Sequence, residues 1–385
     1  MASDNESTCS PYAIEGLSFS WERVDRVDAI AAQWKDLEAR SDCSFFLSWD
    51  WMGTWLASVP GEPPLLLSVR DSGHVVALAI FNAKRLWRRF MPSRAITLNR
   101  TGDPYYDLIN IEYNDILTDR RYPNMWPAVM AFLKRAKIPA GSFRNWDELH
   151  VAMATREVEQ IARDANLMVL ELAHKPSWRV DLDAVRRNGK PYLDTISSNA
   201  RYQIRRAIRF YEKDGPVLGV RAQTQDQAAA YFAEFKQLHQ AYWVQRGTPG
   251  GFSNRHFESF HRTLLRTCLE RRTVEIYRVS AGSRLIGQVY NFIYRGRVYA
   301  YQTGFSYEDD SKAKPGLVSH YLCMQQHLEG GASTYDFMAG DNRYKRTFGV
   351  PGPNMSHYVF QRRTATRMTE AVLRRLKNLV MPRPE

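Results

Sequence analysis

The chain has 385 residues, a length that exceeds one ordinary hydrophobic core and therefore favours two domains. Hydrophobic residues make up 44% of it and aromatic residues 12%, which excludes an intrinsically disordered chain. The formal net charge of +12 favours anionic partners, among them CoA or nucleotide phosphates, RNA and anionic lipid, without choosing between them.

The N-terminal region and the cysteines bear on the compartment. Residues 1–16 are polar and lack the charged and apolar regions of a signal peptide, so we expect a disordered tail there. The longest apolar run, residues 75–81, is too short to cross a bilayer. The cysteines have no paired spacing; they are Cys9, Cys43, Cys268 and Cys323. The sequence therefore predicts a reduced, cytoplasmic protein without a transmembrane segment.

The first half of the chain contains a predicted helix over 27–39 and an aromatic segment over 43–59, whose tryptophans are more typical of core packing than of a ligand pocket. A helix over 122–137 and a strand over 148–153 follow. Before this helix, the loop Gly-Asp-Pro-Tyr-Tyr-Asp over residues 102–107 ends at Asp107.

Two hairpins in different halves of the chain can be aligned. The first turns at Gly73 and the second at Gly282, and each is flanked by strands of alternating apolar residues. This internal similarity predicts a duplicated module.

The helix predicted over 198–213 carries arginines at helical spacing. Arg201, Arg205 and Arg209 lie four residues apart, so their guanidinium groups share one face and repel one another unless an anion lies among them. We interpret this face as an anion-binding ridge for phosphate or carboxylate. A solvated helix face is the alternative.

A glycine-containing loop over 243–252 follows the next long helix. Such loops often cover a binding site, so Trp243 and Arg246 are candidate substrate contacts, although a plain connector fits as well. Tyr301, in a strand predicted over 297–305, is a third candidate substrate contact.

The stretch over 312–349 is the candidate core of the active site. It predicts a turn at 313–316, a helix over 317–329, a strand over 334–338 and a closing loop. A tight turn before a helix presents free backbone N–H groups and the positive end of the helix dipole to an anion. An ordinary strand–helix–strand unit with a lysine-flanked turn fits the pattern equally.

Familiar catalytic and metal-binding motifs do not occur in the sequence. It has no P-loop, nucleophile elbow or zinc-protease motif, and His256 and His261 have no recognised ligand spacing. We therefore expect no metal and favour group transfer from a phosphate-bearing donor, in which binding and orientation supply most of the effect.

The residues that carry a family resemblance are Trp34, Leu37, Phe45, Trp51, Trp55, Ser198, Arg201, Arg205, Arg206, Tyr242, Trp243, Arg246, Gly247, Phe252, Pro315, Gly316, Tyr335, Asp336, Phe337, Gly340, Tyr344 and Lys345. With this spacing, roughly residues 19–360 resemble the CelD-like acetyltransferases, a tandem branch of the GNAT superfamily. The arginine-bearing helix and the end of the stretch over 344–349 are also similar to FemAB-type aminoacyl-tRNA-dependent transferases.

The resemblance implies an α/β (α+β) fold of two tandem GNAT-like domains, each a mixed, mostly antiparallel sheet flanked by helices. We expect the N-terminal domain at 17–183 and the C-terminal domain at 184–362. A basic C-terminal helix and tail at 363–385 would dock on the body or make peripheral contact with a membrane or RNA.

The resemblance also implies acyl-CoA, such as acetyl-CoA, as a co-substrate. Lys314 and the N–H groups of Gly316 and Leu317 would hold its phosphates. Typical family members use a glycine-rich turn here, whereas this turn has a single glycine.

Under this hypothesis the acyl group passes to an amine of a small molecule or of a cell-envelope or polysaccharide precursor. Lys345 or the Tyr344 hydroxyl would stabilise the oxyanion, and Asp336 or Asp107 would take the amine proton. The arginines at positions 201 and 205 would orient an acidic acceptor. Two alternatives stay open: a FemAB-type enzyme that uses aminoacyl-tRNA, and a non-catalytic accessory protein of polysaccharide biosynthesis.

Overall fold

The structure is a computed structural model that describes residues 16–88, 91–139, 145–155, 158–365 and 367–369. The expected N-terminal tail and the expected C-terminal helix lie almost entirely outside these described residues. The first half contains β1 (Leu17–Arg23), α1 (Val27–Ala39), α2 (Trp49–Ser58), β2 (Leu65–Asp71), β3 (His74–Arg88), β4 (Met91–Leu98), β5 (Leu117–Thr118), α3 (Trp126–Arg135), β6 (Glu148–Ala154), α4 (Val158–Asp164) and β7 (Met168–Lys175).

The rest of the described chain contains β8 (Ser177–Asp181), α5 (Leu182–Asn188), α6 (Ser198–Tyr211), β9 (Val217–Arg221), α7 (Gln225–Val244), α8 (Arg255–Cys268), β10 (Val274–Ala281), β11 (Arg284–Tyr294), β12 (Arg297–Phe305), α9 (Pro315–Glu329), β13 (Thr334–Ala339), α10 (Arg343–Phe348), β14 (Val350–Pro351) and β15 (Met355–Gln361).

These strands form two separate sheets. The first has the order β1-β2-β3-β4-β6-β15-β7, with β5 beside β3, and the second has the order β14-β8-β13-β12-β11-β10-β9. Among the described strand pairs, β4–β6 and β12–β13 are parallel and the others are antiparallel. The predicted α/β (α+β) class with two mixed, mostly antiparallel sheets is confirmed.

Two strands pair in the sheet of the other half from the one in which the boundaries expected at residues 183 and 362 place them. β8 precedes the first boundary but pairs with β13 of the second sheet, whereas β15 returns to the first sheet between β6 and β7. β6 and β7 run in the same direction, with α4 between them in the chain, and β15 lies between them in the sheet, antiparallel to both. The two halves therefore complete each other's sheets.

Alternating side chains of the second sheet give it two buried faces. Ile276 packs in a core with α7, α8 and the aromatic segment of the first half, whereas Tyr277 packs in a core with α6 and α9. Two glycines let the helices approach closely: a Cβ at Gly304 would lie 3.1 Å from the Phe235 carbonyl oxygen of α7, and one at Gly287 would lie 2.9 Å from the Ser319 hydroxyl oxygen of α9. Both helices are thus held tightly over the sheet.

The buried face toward α7 and α8 contains a histidine. His261 is 1% exposed among aromatic rings, and neither ring nitrogen has a hydrogen-bond partner among the described residues. Burial lowers its pKa to about 3, because a charged ring at this position would have no water to solvate it. The native state therefore requires neutral imidazole at this position.

We expect acid to destabilise the fold through His261. The pKa of His261 in the folded state lies below its unfolded value near 6.5. Above pH 6.5 the ring is neutral in both states and does not affect stability. Below pH 6.5 the unfolded state binds a proton that the folded state does not, so the free energy of unfolding falls as the pH drops. At pH 5 the expected loss is about 2 kcal/mol. Urea unfolding at pH 7.5 and pH 5 would show the loss in the native chain and a smaller one in His261→Leu. Equal losses in both would contradict this assignment.

Candidate active site

A cleft opens where two strands of the second sheet separate. β12 and β13 pair over Arg297–Tyr299 and Thr334–Asp336 only, and their following residues line a cleft of about 960 Å³. The register of β13 against β8 shifts between Asp336 and Ala339, and Met338 has a φ of +60°. This bulge turns β13 away from β12 and exposes backbone between them.

Lys345 lies at the base of this cleft. Its Nζ donates to the carbonyl oxygens of Met338, at 3.2 Å, and Ala339, at 2.6 Å. The ammonium group has three donors, so one N–H is left for an oxygen placed in the cleft. Burial lowers the pKa of Lys345 to about 8, although nearby carboxylates favour its charged form.

Glu112 reaches the same strand end from the first half of the chain. Its Oε2 accepts the Ala339 N–H at 2.9 Å, so the carboxylate and the Lys345 ammonium are held by the two polar groups of one residue. Burial raises the pKa of Glu112 to about 7. A carboxylate with a pKa near neutrality at a cleft wall is suited to general base catalysis.

Asp336 lies behind the cleft lining. The Tyr113 hydroxyl donates to its Oδ2 at 2.5 Å, and the Met338 N–H donates to its Oδ1 at 2.8 Å. Burial raises its pKa, but both oxygens are engaged within the protein. Asp336 lies outside the described cleft lining, where it acts on the bulge of β13 and on the charge of Lys345. Glu112 does line the cleft, and its Oε1 accepts a hydrogen bond from the Asn110 Nδ2 at 3.3 Å.

Tyr344, a catalytic candidate from the sequence, lines the cleft beside Lys345. Its ring stacks on His320 with 5.0 Å between centroids and 11° between planes. Burial raises the pKa of its hydroxyl above the ordinary value. The phenol is therefore held protonated and able to donate a hydrogen bond.

The start of α9 contributes the predicted donor-binding residues. The first hydrogen bond of α9 runs from the Val318 N–H to the Lys314 carbonyl, so the N–H groups of Gly316 and Leu317 precede the helical ladder. The side chains of positions 314 and 317 line the cleft. A Cβ at Gly316 would lie 3.1 Å from the Phe305 ring, so this turn packs tightly against β12.

The arginine ridge is partly neutralised from within the chain. Arg201 donates to Asp194 at 2.8 Å, and Arg205 lies 3.9 Å from the same carboxylate. Gln203 of this helix lines the cleft, but the described cleft lining does not include either arginine. The structure does not bring Arg201 and Arg205 to Lys345, because Asp194 from the preceding turn holds their face.

The three other predicted substrate contacts lie at or near the cleft. Trp243 lines it, with Nε1 donating to His239 at 3.1 Å, and Tyr301 lines it while its hydroxyl donates to the Ile109 carbonyl at 2.6 Å. Arg246 lies outside the described lining and stacks on the ring of Tyr242, 3.7 Å from its centroid. These aromatic side chains form one wall.

Asp107 has a local structural role instead of a place in the cleft. Its carboxylate accepts the N–H groups of Thr101, at 2.8 Å, and Gly102, at 3.0 Å, and lies 3.3 Å from Arg100. These bonds stabilise its own loop. Asp107 therefore lies outside the described cleft lining, whereas Glu112, five residues further on, lines the cleft.

Glu112 is the functional candidate that the sequence interpretation missed. It stands between Ile111 and Tyr113 in a segment without helical or strand periodicity. The one signal was an acidic residue between two apolar residues that are buried, which is rare unless the charge is paired or functional. Its partner, however, comes from β13 more than two hundred residues later.

One group of side chains outside the cleft lining has donor types that bind metals. The donor atoms of Glu275, Cys323 and His327 lie within 4.8 Å of one another.

No helix in the described part of the chain is long and apolar enough to cross a membrane.

Comparisons with known proteins agree with this architecture. Residues 198–346 match the model of a family described as an acetyltransferase (GNAT) domain. No curated protein matches the chain in sequence. FemX has a similar solved structure, with 13% identity, a TM-score of 0.57, and coverage of 92% of this chain and 99% of that one.

Two further solved structures show the same likeness. The C-terminal domain of a putative lysylphosphatidylglycerol synthetase from Agrobacterium fabrum has 12% identity, a TM-score of 0.52, and coverage of 92% of this chain and 97% of that one. L-PGS from Bacillus licheniformis has 12% identity, a TM-score of 0.51, and coverage of 90% and 95%. The predicted tandem GNAT, FemAB-like fold is confirmed, whereas the CelD-like subgroup stays a prediction.

Proposed function

We propose that this chain, which has a tandem GNAT fold and a GNAT acetyltransferase domain over residues 198–346, is an N-acyltransferase that uses acyl-CoA. The acceptor would be an amine of a small molecule or of a cell-envelope or polysaccharide precursor. One observation supports this most strongly: Glu112 and Lys345 are held on the same backbone residue at the base of the cleft, with pKa values near 7 and 8.

The start of α9 supports a phosphate-bearing donor. A fifteen-residue helix places its positive end there, and Lys314 adds a charge at the cleft wall. Glu308, in the preceding loop, opposes an anion, but Arg284 pairs with it. The acyl chain would then lie between β12 and β13, along their unpaired segments.

The transfer requires a group that accepts the amine proton and a group that donates a hydrogen bond to the oxyanion. The acceptor amine attacks the thioester carbonyl, a C–N bond forms, and the amine proton passes to Glu112. The remaining Lys345 N–H would donate to the developing oxyanion. The C–S bond then breaks and the donor leaves as the CoA thiolate. Tyr344 would orient the thioester beside this pair.

The aminoacyl-tRNA alternative rests on two observations. The chain carries a net charge of +12, and the turn before α9 has one glycine and a proline at the first helical position, which offers fewer N–H groups to a pyrophosphate than a glycine-rich turn does. An aminoacyl ester would react through the same pair of residues. The donor is therefore the point to be tested first.

We expect acetyl-CoA or a longer acyl-CoA to raise the melting temperature, because a ligand that binds only the native state stabilises it. Lys314→Glu should weaken donor binding about tenfold by isothermal titration calorimetry, since it reverses a charge beside the phosphates. The matched control is Lys312→Glu, an exposed lysine outside the described cleft lining, which should bind the donor nearly as the native chain does.

A shift produced by aminoacyl-tRNA and not by acyl-CoA would favour the FemAB-type alternative. If neither donor shifts the melting temperature, the enzyme proposal is contradicted and the non-catalytic accessory role gains support. Equal weakening by both lysine variants would show a diffuse charge effect in place of a site at the start of α9.

A further inference from the structure

A cluster of buried polar side chains connects α9 to the second sheet on the side of the helix away from solvent. Glu275 lies on β10, Asn291 on β11, and Cys323 and His327 lie one turn apart on α9. The Glu275 Oε1 is 2.6 Å from His327 Nε2, and the Asn291 Nδ2 donates to that same carboxylate oxygen at 2.7 Å and to the Cys323 sulfur at 3.2 Å. Three classes of metal-binding donor thus converge on one point.

Two atoms of this cluster have no partner. Glu275 Oε2 and Asn291 Oδ1 are fully buried and make no hydrogen bond within the described residues. Leaving a buried acceptor without a partner costs about 1–3 kcal/mol. Both atoms belong to side chains that already point into the cluster, so the network of hydrogen bonds alone does not satisfy it.

We propose that Glu275, Cys323 and His327 bind one zinc ion, with the Asn291 amide oxygen as the fourth ligand. A half-turn of the amide exchanges its oxygen and nitrogen, which would place Oδ1 beside both the carboxylate and the sulfur. Thiolate, imidazole and oxygen donors in a four-coordinate site are the combination that zinc accepts. Alkaline-earth ions prefer oxygen ligands alone.

The charges of this site balance. Binding releases the thiol proton of Cys323 and any proton shared between His327 and Glu275. One thiolate and one carboxylate then neutralise the two positive charges of the ion. A neutral centre is compatible with full burial. Without the ion, a protonated His327 would have to neutralise the Glu275 carboxylate.

The position indicates a structural ion. It would join β10, β11 and α9, and Cys323 lies eight residues from the first residue of α9, or about 12 Å along the helix axis. The ion would therefore fix the helix whose start lines the cleft. It would not contact a substrate there, because its ligands are outside the described cleft lining.

Metal analysis of the full chain, purified without an affinity tag, tests the proposal. We expect about one zinc per chain by inductively coupled plasma mass spectrometry, and a loss of this zinc in Cys323→Ser and in His327→Gln. The control is Cys268→Ser, a cysteine that is equally buried but outside the cluster, which should retain the metal.

Cobalt gives a second readout that requires no variant to fold. The native chain refolded with Co²⁺ should show a thiolate-to-cobalt charge-transfer band and the d–d spectrum of a tetrahedral site, and a chelator that removes the metal should lower its melting temperature. A chain that is purified without metal, takes up neither zinc nor cobalt and melts unchanged in chelator would contradict the proposal and leave a His327–Glu275 ion pair. These readouts do not depend on acyl transfer.

Discussion

Replacing Lys345 by methionine is expected to lower kcat about 10²–10³-fold. Methionine keeps most of the volume of the side chain, so the buried position is not emptied. What is lost is the ammonium group that would donate to the oxyanion and that now bonds to the carbonyl oxygens of Met338 and Ala339. Initial rates with saturating acyl donor and amine would measure the effect, with circular dichroism as the test of folding.

The same change should also alter the titration of Glu112. The positive charge of Lys345 lowers the pKa of this carboxyl, so its removal raises that pKa above about 7 and shifts the remaining activity to higher pH. Lys190→Met, at an exposed lysine after α5, serves as the control and should keep native turnover. Native turnover in Lys345→Met would remove this residue from the reaction.

Replacing Glu112 by glutamine is expected to lower kcat/KM about 10²–10⁴-fold. Glutamine retains an oxygen that can accept the Ala339 N–H, so the local structure should persist while the base is removed. The effect should grow as pH rises through about 7 and level off above it, because only the ionised carboxylate can take the amine proton. Steady-state rates over a range of pH would measure it.

The shape of the pH profile shows in which protonation state each of the two groups must be. The native enzyme should gain activity as pH rises through about 7, because the base must be ionised, and lose it above about 8, because Lys345 must be charged. The two groups interact, so the apparent pKa values of the two limbs belong to the pair and not to one residue each. In Glu112→Gln the acidic limb should flatten.

Asp107→Asn is the matched control. It makes the same carboxylate-to-amide change at one of the two residues that the sequence analysis named as acceptors of the amine proton. Its carboxylate stabilises a loop, so we expect a lower melting temperature and an unchanged acidic limb. If Asp107→Asn removes the limb and Glu112→Gln keeps it, the assignment of the base made from the structure is wrong.

The secondary structure beside the cleft that the sequence predicted lies in one continuous segment. The turn, α9 and β13 follow one another as the sequence predicted, and their order places Lys314 and the segment after β13 at the same end of the sheet. The segment predicted as a closing loop contains the short helix α10 instead. Local pattern was sufficient here because strand–helix–strand units have a fixed geometry.

The parts that sequence did not predict depend on contacts between distant segments. Glu112 becomes a candidate base only because the bulge of β13 presents the Ala339 N–H to it. Helical periodicity places Arg201 on a cationic face and so predicts an anionic ligand there. It does not reveal Asp194, whose carboxylate reaches Arg201 from the turn before the helix. A short apolar segment such as β15 fits either sheet, and only the gap between β6 and β7 decides its place.

The central claim is that acyl transfer occurs where β12 and β13 separate, between Glu112 and Lys345. A crystal structure with a thioether analogue of acetyl-CoA tests it most directly. We expect the analogue's phosphates near Lys314, its arm between the two strands, and its carbonyl oxygen within hydrogen-bonding distance of the Lys345 Nζ, with the Glu112 carboxylate on the open side. An analogue bound elsewhere on the chain, with Glu112 and Lys345 enclosed by side chains and out of reach of its carbonyl group, would contradict the account.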